Sequence, residues 1–323
     1  VSAVFLAALL ALPVVLALWT ALLTARVNRQ VPACGSLVDF KLGRLHFVDT
    51  GPVSDPSAPV LVMVHGLGGQ LRHFTYDLAG RLRNSYRVIA VDRPGSGHSG
   101  PLRGASKGLE AQADLIAELI DHLNIDQVVL VGHSLGGAIC LSIAQRHRSR
   151  VAALALIAPL TTRPPELTRG LCSLLRLGQP LIALCAWTLV MPIGRLGRGA
   201  MLTPIFSPDS VPADYSERGG GDLTLRPAHF LAAAQDMAAI PAFLAHIDIN
   251  LDQLGQGESL PLGILFGRDD QVLSPELHGV AFAHKLSWVH LDLVEGGHML
   301  PLTDAQQCEA FIRQCVGRAF PRR

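Results

Sequence analysis

The chain has 323 residues, 49% of them apolar, and a formal net charge of +1 at pH 7. That is enough length and apolar content for one large domain with an insertion, and a charge near zero without basic and aromatic alternation excludes the footprint of a nucleic-acid binder. Its six cysteines, Cys34, Cys140, Cys172, Cys185, Cys308 and Cys315, form neither a CxxC pair nor a metal-ligand spacing; they read as small buried apolar residues, with a Cys172–Cys185 bridge as the alternative in an oxidising compartment.

Val1 to Ala25 carries no charged residue. At about 1.5 Å per residue this stretch is long enough to cross a hydrocarbon core roughly 30 Å thick. Its apolar run is longer than that of a secretory signal and its start is uncharged, so a retained single-pass anchor over residues 1–25 is expected, followed by a linker over 26–36. Arg26 and Arg29 after the span argue for a cytoplasmic domain, and a basic leader before Val1 would argue the reverse, so the side of the membrane stays open.

Residues 37–158 read as the first part of an α/β core. Leu37 to Leu42 and Leu45 to Val48 form an opening hairpin around Gly43-Arg44. Pro59 to Val64 is a buried strand ending in His65-Gly66-Leu67-Gly68-Gly69, and a helical period follows at about His73 to Asn84. Tyr86 to Val91 is the next buried strand, followed by the turn-rich Asp92-Arg93-Pro94-Gly95-Ser96-Gly97-His98-Ser99. Leu109 to Leu123 has helical periodicity, and Val128 to Val131 is again a buried strand. It runs into Gly132-His133-Ser134-Leu135-Gly136-Gly137 and the helix-like Ala138 to Ala144. A serine on a sharp turn between strand and helix, with small residues on both sides, has the layout of a nucleophile elbow. A tetrahedral intermediate needs fixed N–H donors for its oxyanion, and the amides of Leu67 and Leu135 are the candidates.

After a strand at Val151 to Ala158, the next buried strand begins only at Pro261. A gap of about 100 residues far exceeds a usual crossover, so a helical cap is expected over 159–254. Leu171 to Leu177 and Leu181 to Ile193 are apolar, while Arg163, Arg169, Arg176, Arg195 and Arg198 are opposed only by Glu166 before Ala200. These leucines are expected either to cover an acyl pocket or to lie with the arginines against anionic lipid. Arg218-Gly219-Gly220-Gly221-Asp222 is a hinge or an exposed loop.

Residues 255–323 complete the core. Leu262 to Phe266 is a strand followed by Gly267-Arg268-Asp269-Asp270, and Trp288 to Val294 is a strand followed by Glu295-Gly296-Gly297-His298. A serine hydroxyl needs a base, and the base needs an orienting carboxylate. His298 is the expected base and Asp270 the expected acid, with Asp269 as the fallback because one residue of loop register decides between them. The order Ser134, Asp270, His298 is the one this elbow requires. His65 and His133 read as bracing residues.

From about Leu37 to Phe320 the chain resembles the α/β-hydrolase superfamily, carried by HGLGG, DRPGSGHS, GHSLGG and the paired GRDDQV and EGGH segments. Within it the motifs are similar to those of bacterial membrane-anchored serine esterases and lipases. The resemblance implies a mostly parallel α/β sheet with helices on both faces and an inserted helical cap. It also implies attack on a carbonyl carbon through an acyl-enzyme. Epoxide hydrolases and haloalkane dehalogenases use an aspartate nucleophile where this chain has Ser134, which argues against their reactions.

The expected activity is therefore hydrolysis of hydrophobic carboxylic esters, with neither metal nor organic cofactor required. The expected partners are a small hydrophobic ester and the membrane, through the N-terminal helix and the cap. Rivals are a carbon–carbon hydrolase of meta-cleavage products, a perhydrolase, and a silent binding protein that keeps the fold.

Overall fold

The computed structural model describes residues 3–104, 108–163, 178–255 and 260–321. Glu166, Arg169, Leu171 to Leu177, Cys172 and Arg176 therefore lie outside the described residues.

The apolar N-terminal stretch forms α1 (Ala3–Gln30), which continues five residues past Ala25. β1 (Ser36–Asp39) and β2 (Arg44–Asp49) make the opening hairpin. The parallel strands follow: β3 (Val60–Val64), β4 (Arg87–Asp92), β5 (Val128–His133), β6 (Val151–Ile157), β7 (Leu262–Gly267) and β8 (His290–Val294). They form one sheet in the order β1-β2-β4-β3-β5-β6-β7-β8, with β1 and β2 antiparallel and the rest parallel.

Parallel strands need crossovers, and helices supply them on both faces. The segment between β3 and β4 holds two short helices, α2 (Arg72–Thr75) and α3 (Leu78–Leu82), where a single helical period was expected. Asp77 between them has φ −148°, outside the helical region, which ends one helix and starts the other. α4 (Leu109–His122), α5 (Leu135–Arg146) and, after β8, α11 (Leu300–Thr303) and α12 (Ala305–Ala319) complete the core with α10 (Ala281–Lys285). Alternate strand residues serve opposite layers. Val62 and Val64 join the layer containing Leu115, Ile116 and Ile139, while Leu61 and Met63 join the layer containing Leu78, Phe311 and Ile312.

Between β6 and β7 lie α6 (Gln179–Cys185), continued through a π turn into α7 (Met191–Leu196), then α8 (Arg198–Phe206) and the long α9 (Pro227–Ile249). α9 does two jobs. Ile240, Phe243, Leu244 and Ile247 pack into the core layer on α5, while Phe230 and Ala233 nearer its start line a cavity over the sheet. Arg195 and Arg198 both pair with Asp222. The expectation that cap arginines make a cationic face is corrected for these two, because their counter-charge comes from beyond Ala200.

α1 is docked on this insertion. Val27 and Val31 are buried with Met191, Leu223 and Leu225, while Leu12, Val14, Val15, Leu18, Trp19 and Leu22 stay exposed. The segment after the helix is pinned as well: the carbonyls of Val31, Pro32 and Cys34 meet His98 Nε2, Arg72 Nη2 and His46 Nε2.

Candidate active site

The parallel sheet delivers the motif loops to one end. β5 stops at His133, and Ser134 turns the chain into α5 with φ 54° and ψ −123°. A non-glycine residue with positive φ stores strain, and here surrounding hydrogen bonds hold it. Ser134 N–H donates to the Ile157 carbonyl at 3.1 Å, and the Ser134 carbonyl accepts from Gly137 N–H at 2.9 Å and Leu160 N–H at 3.0 Å. Gly136 has no room for a side chain, since a Cβ there would strike the Val64 carbonyl at the end of β3. This close approach of α5 to β3 brings the loop after β3 against the serine. A Cβ on Gly66 would lie 2.8 Å from Ser134 Cβ.

His298, reached from the end of β8, is 4% exposed and its Nδ1–H donates to Asp270 Oδ2 at 2.7 Å. Asp270 Oδ1 accepts from the amides of Val272 at 2.8 Å and Leu273 at 2.9 Å, so both carboxylate oxygens are held. Asp269 is exposed and gives its N–H to the Gly296 carbonyl. The loop register thus turns Asp270 inward to His298. With Nδ1 committed to the carboxylate, Nε2 of His298 is the nitrogen left for substrate chemistry.

Ser134 and His298 line one cavity of about 710 Å³. Ser134 Oγ makes no hydrogen bond to a described residue; in unliganded sites the nucleophile–base contact is commonly long and tightens with substrate. Leu67 and Leu135 also line this cavity. Leu135 is the first residue of α5, where a helix leaves its N–H without an intrahelical acceptor, and Leu67 N–H donates to no described residue. Two residues that line the cavity with the serine thus have N–H groups without a backbone acceptor among the described residues. The remaining wall is apolar: Leu160, Leu189, Ile193, Met201, Leu202 and Ile205 dominate it.

His65 makes two structural bonds, with Nδ1–H donating to the Gly66 carbonyl at 2.8 Å and Nε2 accepting Arg93 N–H at 2.9 Å. Burial, followed by the nearby Arg93 charge, holds its pKa well below the ordinary value, which fits this neutral tautomer. His133 is likewise neutral, its pKa pushed down by burial and then by His298, and its Nε2–H donates to the His298 carbonyl at 2.9 Å.

Two residues of this neighbourhood carry no local sequence signal for their roles. Arg93 is fully buried behind the His65–Gly66 segment, and its partner Asp236 comes from α9. A separation of 143 residues hides the pair from any motif.

A family model described as the alpha/beta hydrolase fold matches residues 59–171, which span β3 to the chain just after β6. A protein named as a carbamate hydrolase, RutD, of Agrobacterium fabrum is 26% identical over 265 residues, covering 80% of this chain and 93% of that one. A dihydrolipoyllysine-residue acetyltransferase component of an acetoin cleaving system from Pseudomonas putida is 41% identical over 99 residues, and the chain spans only 26% of its length. Among solved structures, a thermophilic esterase from Thermogutta terrifontis superposes with a TM-score of 0.68 at 23% identity, covering 88% of this chain and 99% of the esterase. A bacterial membrane phospholipase A superposes with a TM-score of 0.60 at 23% identity over 97% of both chains. The sheet order, the strained turn into α5 and these matches agree: the chain has the α/β-hydrolase fold, and its residues 59–171 match the family model of that fold.

Proposed function

We propose that this protein is a serine hydrolase that cleaves carboxylic esters with hydrophobic acyl groups through an acyl-enzyme on Ser134. One observation carries the reading: Ser134, the Leu67 and Leu135 amides and the Asp270-oriented His298 share the lining of a single apolar cavity. His298 Nε2 takes the Ser134 proton as Oγ bonds to the ester carbonyl carbon, and the two amides hold the resulting oxyanion. The carbonyl re-forms as the C–O bond to the alcohol breaks, and His298 returns the proton to that alcohol. Water, deprotonated by the same nitrogen, then releases the acid and restores Ser134. Asp270 keeps the imidazole in the required tautomer and stabilises its cationic form.

The enzyme works at a membrane. The N-terminal helix is apolar enough to span one, and the helix pair over 179–196 exposes Leu181, Leu184, Trp187, Ile193 and Leu196 beside it. Ile193 also lines the cavity, so an acyl chain in the bilayer has a short route to Ser134. The superposition with a membrane phospholipase A over 97% of the chain supports this setting.

The test is hydrolysis of p-nitrophenyl esters from acetate to palmitate by the full chain in detergent, with Ser134→Ala alongside. Turnover by the parent and a loss of about a thousandfold or more in the variant are expected. A folded parent inert on every ester overturns the reading. Turnover of a meta-cleavage product by such a protein would replace it with carbon–carbon hydrolysis, and peracid formation from peroxide with a perhydrolase.

A further inference from the structure

We propose that Arg93 is a positioning residue that ties the Leu67 oxyanion donor to the seating of cap helix α9. This rests on the serine-hydrolase reading above. The carbonyl of Gly66 and the N–H of Leu67 belong to one planar peptide unit, so fixing the oxygen at the back fixes the hydrogen that faces the cavity. Arg93 Nη2–H donates to the Gly66 carbonyl at 3.0 Å, and Nε–H donates to the His65 carbonyl at 3.0 Å. His65 Nδ1–H and Gly69 N–H converge on the same Gly66 oxygen, at 2.8 and 3.2 Å. Donors on that oxygen draw electron density from the peptide and strengthen its N–H as a donor. A guanidinium does this more strongly than a neutral group.

A fully buried guanidinium needs a counter-charge. Among the described residues Arg93 has one, Asp236, at 2.7 Å from Nη1. Gln112 on α4 completes the set, accepting from Nη1 at 2.8 Å and donating to Asp236 Oδ1 at 2.6 Å. Asp236 sits on α9 between Ala233 and Ile240, which both line the cavity, yet Asp236 itself is absent from that lining. When α9 lifts from the core, Arg93 loses its counter-ion and the peptide carrying the Leu67 amide loses its brace. When α9 seats, both are restored. Closure of the cap and completion of the oxyanion hole are thus one event.

The experiment uses the full chain in detergent, with Asp236→Asn and Gln112→Leu beside the parent. Active sites are titrated with a fluorophosphonate, so that a misfolded fraction does not count. Per titrated site on p-nitrophenyl butyrate, Asp236→Asn is expected to lose kcat about tenfold to a hundredfold, the range up to that for removing one oxyanion donor, with KM changed less than threefold. Gln112→Leu is expected to lose a few-fold. An alkyl boronic acid, whose tetrahedral adduct needs the same donors, is expected to bind Asp236→Asn more weakly by a similar factor. A purely structural role would lower the number of titratable sites and leave kcat per site and boronate affinity at parental values, which overturns the proposal. A parent that neither hydrolyses an ester nor takes up the fluorophosphonate overturns the serine-hydrolase reading, and this inference with it.

Discussion

The Nε2–H of His133 donates to the carbonyl oxygen of His298 at 2.9 Å, so the residue before the elbow serine holds the backbone that carries the candidate base. The two rings also lie side by side, with centroids 4.9 Å apart. The serine and the histidine come from distant segments of the chain, and this bond ties those segments together beside the cavity that both line.

His133→Leu removes the donor and leaves a buried carbonyl without one, at a cost of about 1–3 kcal/mol. The expected result is a lower urea midpoint together with a several-fold loss of kcat per titrated site. Urea denaturation and steady-state kinetics on p-nitrophenyl butyrate check both halves.

Asp270 and Asp269 are neighbours with opposite expectations. Asp270→Asn keeps the shape but replaces the acceptor of His298 Nδ1–H with a group that turns the ring to the wrong tautomer, and kcat is expected to drop by about 10⁴. Asp269→Asn, at an exposed side chain, is expected to stay within about twofold of the parent. Equal effects in the two variants would reject the assignment of the acid.

Burial lowers the pKa of His73 to about 4 and that of His229 to about 3. A histidine whose folded pKa lies below its unfolded value, near 6.5, leaves stability untouched at higher pH. As pH falls below 6.5 the unfolded chain takes up the proton first, and stability is lost until the folded pKa is reached. Each such histidine costs about 1.4 kcal/mol per pH unit in that window. Melting temperature is therefore expected to be flat from pH 8 to 7 and to fall between pH 6.5 and 5, before most carboxylates titrate. His73→Gln is expected to make that fall shallower, as thermal melts across the pH series will show.

The membrane reading makes a prediction of depth. Trp187 is 46% exposed on the helix pair beside α1. With Trp19→Phe and Trp288→Phe, its fluorescence is expected to be quenched in vesicles of lipids brominated on the acyl chain and shielded from aqueous iodide. Leu196→Asp, at an exposed side chain outside the cavity lining, is expected to slow hydrolysis of an ester dissolved in the vesicles at least fivefold, while a water-soluble short-chain ester is hydrolysed at a rate within twofold of the parent. Quenching by iodide instead of by brominated lipid would place this face in water.

The parts of the site legible in the sequence are those whose chemistry is local. A strand, a tight turn and a helix around Ser134 are encoded by neighbours, and so is the delivery of His298 after Gly296-Gly297. The choice of Asp270 over Asp269 was not legible, because it depends on the Val272 and Leu273 amides closing a loop on one oxygen. Nor was the Arg93–Asp236 pair, whose members acquire meaning only when α9 lies over the sheet. The apolar composition of α9 gives its length, yet it is apolar all round, so periodicity does not tell its core half from its cavity half. The helix expected over His73 to Asn84 broke at Asp77 for a backbone reason that side-chain periodicity does not report.

The seam between α1 and the insertion has a practical and a biological corollary. Cutting the chain after the helix would uncover Met191, Leu223 and Leu225, so a trimmed protein would carry a sticky scar where the intact one has a joint. On the proposed reading of a membrane-held hydrolase, that joint gives the mouth of the cavity one bearing toward the lipid instead of letting it swing on a leash. Which molecules reach Ser134 is then decided first by where they reside, and only afterwards by how they fit.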